Sequence, residues 1–251
     1  MGLHLVELDK DFPCFVSGEM EARFIYAEIF ADGNYDLAGL PENAFVVDVG
    51  ANIGLFSIYV KSRCPGARVL AFEPAPGNLD ALRRNLDLHG TQDVTVYPCC
   101  LGTEASAGVT LTYYPQLPGN STLHPGEKEL QRTLMAQRLG TEDAAKLFDA
   151  TEVSVPVQRL STVLADGYAD VPSIDLLKID VEGAELEVLG GVDAADWARV
   201  GRVMLEVADF DGKLGEVERL LRSHGFSVSS SPVPFMWEEL RFHYVTAERR
   251  G

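Results

Sequence analysis

The run Asp48-Val-Gly50-Ala-Asn52-Ile-Gly54 follows a β-branched stretch and precedes a helical one. Glu73 closes the next apolar run about 20 residues later. Glycines at a strand-to-helix turn let backbone N–H groups approach a ligand, and an acid ending the following strand can accept from two ribose hydroxyls. The plain alternative is a tight β-α turn with no ligand, which leaves the position of Glu73 without a reason. Departures decide which nucleotide fits. A dinucleotide fingerprint needs glycine at the second and third marked positions of G-x-G-x-x-G, where this chain has Asn52 and Leu55. No Gly-Lys-Ser/Thr occurs, so a phosphate-cradling P-loop is missing too. The pattern predicts a site for a nucleoside without phosphates.

Strand ends must position such residues, and the pattern supplies them. Phe45–Gly50, Arg68–Glu73, Val94–Tyr97, Ile174–Asp180 and Arg202–Val207 read as buried strands. Between them lie helical stretches: Gly54–Ser62, the stripe Leu79, Leu82 and Leu86, Glu182–Leu189, and the stripe Leu214, Val217, Leu220 and Leu221. His89-Gly90 and His224-Gly225 supply helix stops. Strands near Phe226–Ser230 and Leu240–Thr246 close the chain. This alternation predicts an α/β fold with a doubly wound, mostly parallel sheet, whose ligands bind beyond the carboxyl ends of the strands. Two segments fall outside it. Residues 1–44 carry a helical candidate, Glu19–Phe30, and read as an N-terminal helical cap. Residues 114–150 hold a helical stretch around Leu130–Leu139 and read as a lid or substrate wall.

The 251 residues suit one domain, spanning 1–251, with a core made of 45–113 and 151–251. With 21 Lys and Arg against 38 Asp and Glu, the formal charge is −17, which repels phosphate backbones and anionic lipid. Nucleic acid and membrane surfaces are therefore not expected partners. No stretch approaches the ~20 apolar residues of a membrane span. The opening MGLHLVELDKDF lacks signal-peptide and myristoylation features. Cys14, Cys64, Cys99 and Cys100 show no C-x-x-C spacing, so they read as reduced thiols of a cytoplasmic protein.

Four motifs in order resemble the FkbM-type S-adenosylmethionine-dependent methyltransferases: Asp48-Val-Gly-Ala-Asn-Ile-Gly54, Phe72-Glu-Pro74, Leu177-Lys-Ile-Asp-Val-Glu-Gly-Ala-Glu185 and Met204-Leu-Glu-Val207. The resemblance runs from about Val46 to Phe226. Glu21–Phe30 is also similar to the helix that precedes methyltransferase domains of polyketide and non-ribosomal peptide pathways. The resemblance implies a class I methyltransferase, Rossmann-like, with seven strands of which the last runs antiparallel. It implies S-adenosylmethionine as cofactor, held by Asp48, Gly50, Asn52, Glu73, Cys100, Leu101 and Asp180. Gly50 and Asn52 would meet the methionine part, Glu73 the ribose, and Cys100 with Leu101 the adenine. Cys100 reads equally well as a plain core thiol. Asp180 would pair with the methionine ammonium or face the acceptor.

For a hydroxyl acceptor a base must take the proton. Of five histidines only His124 lies in the 114–150 insertion, so it is the expected base, with Glu206 at the end of the fifth strand orienting its ring. An exposed loop histidine is the alternative. Glu182, read as the first residue of a helix, is either a catalytic acid or an N-terminal charge that suits the helix dipole. Asp180, Glu182, Glu206 and His124 could also form a divalent-cation site, but no paired histidines or Asp-rich loop supports one, and no metal is expected. The reaction expected is O-methylation of a small-molecule or carrier-bound natural-product intermediate. N-methylation, another reaction of the same cofactor such as cyclisation, and a non-catalytic nucleoside-binding module are the alternatives.

Overall fold

The computed structural model describes residues 2–234 and 236–249. The expected outer limits of the domain, Met1 and Gly251, lie outside the described residues. The chain opens with two strands, β1 (His4–Asp9) and β2 (Phe12–Val16), paired antiparallel about a turn in which Asp11 takes φ 61°. The expected N-terminal cap is therefore a hairpin followed by a helix, not helical throughout. The hairpin is tied down from a distance: Phe15 N–H donates to Asn85 Oδ1 at 2.7 Å, and Asn85 Nδ2 donates back to Phe15 O at 3.0 Å. α1 (Glu19–Tyr26) follows and widens into a π-helical turn, Ala27–Ala31.

The main sheet is built from β3 (Phe45–Val49), β4 (Arg68–Phe72), β5 (Val94–Tyr97) and strands after the insertion. Between these three run α2 (Leu55–Arg63) and α3 (Pro76–Leu88). β6 (Cys100–Leu101) and β7 (Ser106–Tyr113) come next, then α4 (Glu129–Leu139), α5 (Thr141–Leu147) and β8 (Thr151–Gln158). The remainder is α6 (Leu160–Gly167), β9 (Leu176–Ile179), α7 (Glu185–Gly190), α8 (Ala194–Trp197), β10 (Arg202–Ala208), α9 (Lys213–Ser223), β11 (Phe226–Pro232) and β12 (Phe242–Arg249).

Seven strands order as β11-β12-β10-β9-β3-β4-β5, all parallel except β12, which runs antiparallel to β10 and β11. This is the class I methyltransferase sheet that the sequence led us to expect. Every residue of β3 and β9 is buried, because helices cover both faces, and that explains their unbroken apolar runs. A second sheet, β6-β8-β7, has no counterpart in the sequence expectation. Its β7 and β8 pair antiparallel up to Tyr113 and Thr151, so residues 114–150 leave and rejoin the fold at one rung.

Candidate active site

β3 delivers the chain into a turn where Gly50, Asn52 and Gly54 take φ of 77°, 49° and 90°. Left-handed backbone favours glycine, and asparagine tolerates it best among the others. At Gly50 a second constraint applies: a β-carbon would collide with the carbonyl oxygen of Asp180 at the end of β9. The glycine is thus demanded by the neighbouring strand end as well as by its backbone angle.

Glu73, at the end of β4, is buried and grips this turn. Its Oε2 accepts from Asn52 N–H at 2.8 Å, and its Oε1 accepts from Ala75 N–H at 2.9 Å. Burial pushes its carboxyl up to about 7 although these donors pull the other way. Gly50, Asn52, Glu73, Cys100, Leu101 and Asp180 all line one cavity. Burial pushes the Cys100 thiol up to about 12, so it stays a neutral, weakly polar wall.

Asp48 is not among the residues lining that cavity. Fully buried beneath the turn, it accepts from Ser57 Oγ at 2.8 Å and lies 3.3 Å from Lys178 Nζ. Lys178 in turn donates to Gly50 O at 2.8 Å and stands 3.6 Å from Asp180. The expected ligand contact of Asp48 is thereby replaced by a supporting one, exerted through Lys178. Burial alone would lower the Lys178 ammonium, but Asp48 and Asp180 outweigh it and raise it. Sequence reasoning missed Lys178, although a lysine inside the apolar run Leu176–Ile179 is a visible signal.

A second cavity shares Asn52, Gly119, Asp180 and Glu182 with the first. α1 and its π turn contribute Glu21 and Glu28, β10 contributes Glu206, and α4 contributes Gln131. Glu21 accepts from Gly119 N–H at 3.0 Å, and burial pushes it up to about 8. Glu28 accepts from the Tyr244 hydroxyl, and burial pushes it up to about 7. Glu206 is raised well above the usual carboxylate range by burial and then by the charges of Asp180 and Glu28. Glu21 and Glu28 went unread as site residues, though their seven-residue spacing puts them on one helix face.

Two expectations are corrected here. His124 does not meet Glu206: its Nε2 lies 2.9 Å from Oε1 of Glu187 on α7, and the ring is about one-third exposed. Beside it, Thr122 Oγ1 accepts from His124 N–H at 2.8 Å and donates to Glu182 O at 2.6 Å, which ties the His124 backbone to the turn before α7. The bond to Glu187 raises the imidazole, and the same bond lowers Glu187. Glu182 does not begin the helix, because α7 starts at Glu185. It sits in the turn before it with φ 55°, paired with the buried Lys128 ammonium. Burial raises its carboxyl despite that partner. Among the described residues no group of three or more His, Cys, Asp or Glu is arranged to hold a metal ion. No helix among them is long and apolar enough to cross a membrane.

A family model described as the methyltransferase FkbM domain matches residues 48–228. Methyltransferase sdnD of Sordaria araneosa is 44% identical over 98% of this chain and 96% of its own length. The 31-O-demethyl-FK506 methyltransferase FkbM of Streptomyces tacrolimicus is 42% identical over 91% of this chain and 90% of its own. A solved structure of a methyltransferase FkbM from Methylobacillus flagellatus shares the fold, with a TM-score of 0.56 at 15% identity. That match covers 88% of this chain and 47% of the other.

Proposed function

Since the chain belongs to the FkbM methyltransferase family, we propose that it moves a methyl group from S-adenosylmethionine to a hydroxyl of a small-molecule or carrier-bound natural-product intermediate. The observation that carries this reading is the grip of Glu73 on Asn52 at the rim of the first cavity. The residues there fit a nucleoside with hydroxyl and amine donors. Asn52 Oδ1 and Asn78 Oδ1 are buried acceptors without a protein partner, and both residues line that cavity. Glu73 would take the ribose hydroxyls, Asp180 the methionine ammonium, and Cys100 with Leu101 the adenine face.

When bound, S-adenosylmethionine supplies an electrophilic methyl on a sulfonium that leaves as a neutral thioether. The protein's own share is alignment, exclusion of water and removal of one proton. Glu206 is suited to taking that proton. It faces the second cavity, across Asp180 and Asn52 from the first, and its raised carboxyl can hold the proton that the hydroxyl loses. Residues 114–150 line both cavities, the first through Pro118, Gly119 and Ser121 and the second through Gly119, Asn120 and Gln131. Cys14, Cys64, Cys99 and Cys100 are free thiols, as suits a reducing cytoplasm.

Incubation with methyl-labelled S-adenosylmethionine and hydroxylated or aminated acceptors tests the reading. Label should pass to oxygen. Transfer to nitrogen alone, or no binding of S-adenosylhomocysteine, overturns it.

A further inference from the structure

Asn78, in the first turn of α3, stands between the first cavity and the insertion. It is 2% exposed and lines that cavity. Its Nδ2 lies 3.4 Å from Glu73 Oε1 and 3.4 Å from Pro118 O. Both bonds are longer than the usual ~2.9–3.0 Å, so neither acceptor holds the amide firmly. Its Oδ1 has no hydrogen-bond partner. Turning the amide over would set that oxygen against two acceptors, so its neighbours fix the orientation. A buried carbonyl oxygen left unpaired costs free energy, and this one is matched to a donor that arrives with the ligand.

The donor within reach is a ribose hydroxyl. Asn78 is bonded to Glu73, the acid read above as the ribose site, whereas the adenine amine stands at the far end of the base from the sugar. The other side of Asn78 faces the insertion. Pro118 begins the 3₁₀ turn Pro118–Asn120, and its carbonyl also accepts from Ser121 Oγ at 2.8 Å. The next residue, Gly119, donates to Glu21 Oε1 at 3.0 Å and lines both cavities. α3 meets the root of the insertion as well: a β-carbon at Gly77 would collide with the Tyr113 hydroxyl. One side chain thus spans from the sugar site to a turn that walls the second cavity.

We propose that Asn78 couples the two cavities: its Oδ1 shares one ribose hydroxyl with Glu73, and the amide so fixed tightens on Pro118 O and sets Gly119 in the wall of the second cavity. This rests on the methyl-transfer reading above and deepens it. A hydroxyl that donates to an amide oxygen polarises the amide and strengthens its N–H groups as donors. Competition acts in the same direction. Glu73 Oε1 is already held by Ala75 N–H, so a hydroxyl arriving there leaves Nδ2 to Pro118 O. Asn78 is a positioning residue for the insertion, and the second cavity takes its final shape only once the cofactor is in place.

Hydrogen exchange and calorimetry test this with S-adenosylhomocysteine and its 2′-deoxy and 3′-deoxy analogues, each at saturation. S-adenosylhomocysteine should slow exchange of the Gly119, Asn120 and Ser121 amides about tenfold, the worth of one hydrogen bond gained. One deoxy analogue should bind about tenfold more weakly and leave these amides exchanging as in the free protein, while the other still slows them. Asn78→Leu keeps the shape and removes both polar atoms. It should still bind S-adenosylhomocysteine through Glu73, without slowing the insertion, and the first analogue should lose most of its disadvantage. Equal slowing by both analogues, or by neither, overturns the proposal, and so does slowing that survives Asn78→Leu. The analogue comparison uses the native protein, so it decides the question even where the variant does not fold. Failure of native protein to bind S-adenosylhomocysteine is a separate result: it removes the methyl-transfer reading, and this coupling with it.

Discussion

Lys178 and Asp48 form a buried ion pair beneath the glycine turn, with Nζ 3.3 Å from Oδ1 and side chains 5% and 0% exposed. The pair does not touch the ligand cavity. It fixes Gly50 through the Lys178 bond to the Gly50 carbonyl, and so sets the backbone that Glu73 and Asn52 complete.

Removing one partner leaves an uncompensated charge in the core, which costs about 3–5 kcal/mol. Lys178→Met should therefore destabilise the protein by that order, and Asp48→Asn together with Lys178→Met should recover part of the loss. Denaturant unfolding of the single and double variants measures this. A double variant no better than Lys178→Met alone would mean that the pair is not coupled.

Glu73→Ala should weaken S-adenosylhomocysteine binding by roughly 2–4 kcal/mol, since charge-assisted hydrogen bonds to ribose hydroxyls are worth ~1.5–3 kcal/mol each. The native affinity should also depend on pH. The ligand-free carboxyl sits at about 7, and hydroxyl donors favour its ionised form. Affinity should rise as pH climbs towards about 7 and level off above it. Calorimetry checks both points, and an affinity that is flat across this range removes Glu73 from the ribose site.

The main sheet was legible because its strands are buried on both faces, which leaves apolar runs such as Phe45–Val49 with no competing period. The turn residues and Glu73 were legible because their types are constrained by backbone angle and strand end. What failed was anything set by pairing at a distance. The β1–β2 hairpin is tied to Asn85, remote in sequence, and β7–β8 presents a mixture of exposed and half-buried residues with few buried ones. His124 was misplaced for the same reason. Its partner Glu187 lies on α7, 63 residues away in sequence, and no spacing rule encodes that pairing. Asp48 reads as a ligand contact in any strand-turn motif until Lys178 is seen beneath it.

Stability of the ligand-free protein should fall as pH rises through neutrality towards about 8. Glu21, Glu28, Glu73 and Glu185 are held at about 8, 7, 7 and 7 against an ordinary value of 4.5, each chiefly by burial. The folded state therefore keeps protons that the unfolded chain has already released, and stability falls with pH wherever that is so. It is lost through the window that ends at those raised values. At roughly 2–4 °C per kcal/mol for a chain of this size, the melting temperature should drop by several degrees. A melting temperature that climbs over the same range would show these carboxyls ionised in the folded chain.

Sequence and geometry point to different side chains as the base. His124 is engaged by Glu187 and lines neither cavity, whereas Glu206 lines the second cavity with a raised carboxyl. General-base assistance is worth ~10²–10⁴-fold in rate. Glu206→Gln should therefore lower kcat by at least ~10²-fold while the S-adenosylmethionine Kd stays within a few-fold. His124→Ala should keep near-native turnover and an unchanged pH–rate profile. That profile should rise with pH through a group above the usual carboxylate range, and the rise should vanish in Glu206→Gln. Loss of the pH dependence in His124→Ala instead, with Glu206→Gln still active, would return the role of base to the imidazole and leave Glu206 as a binding group.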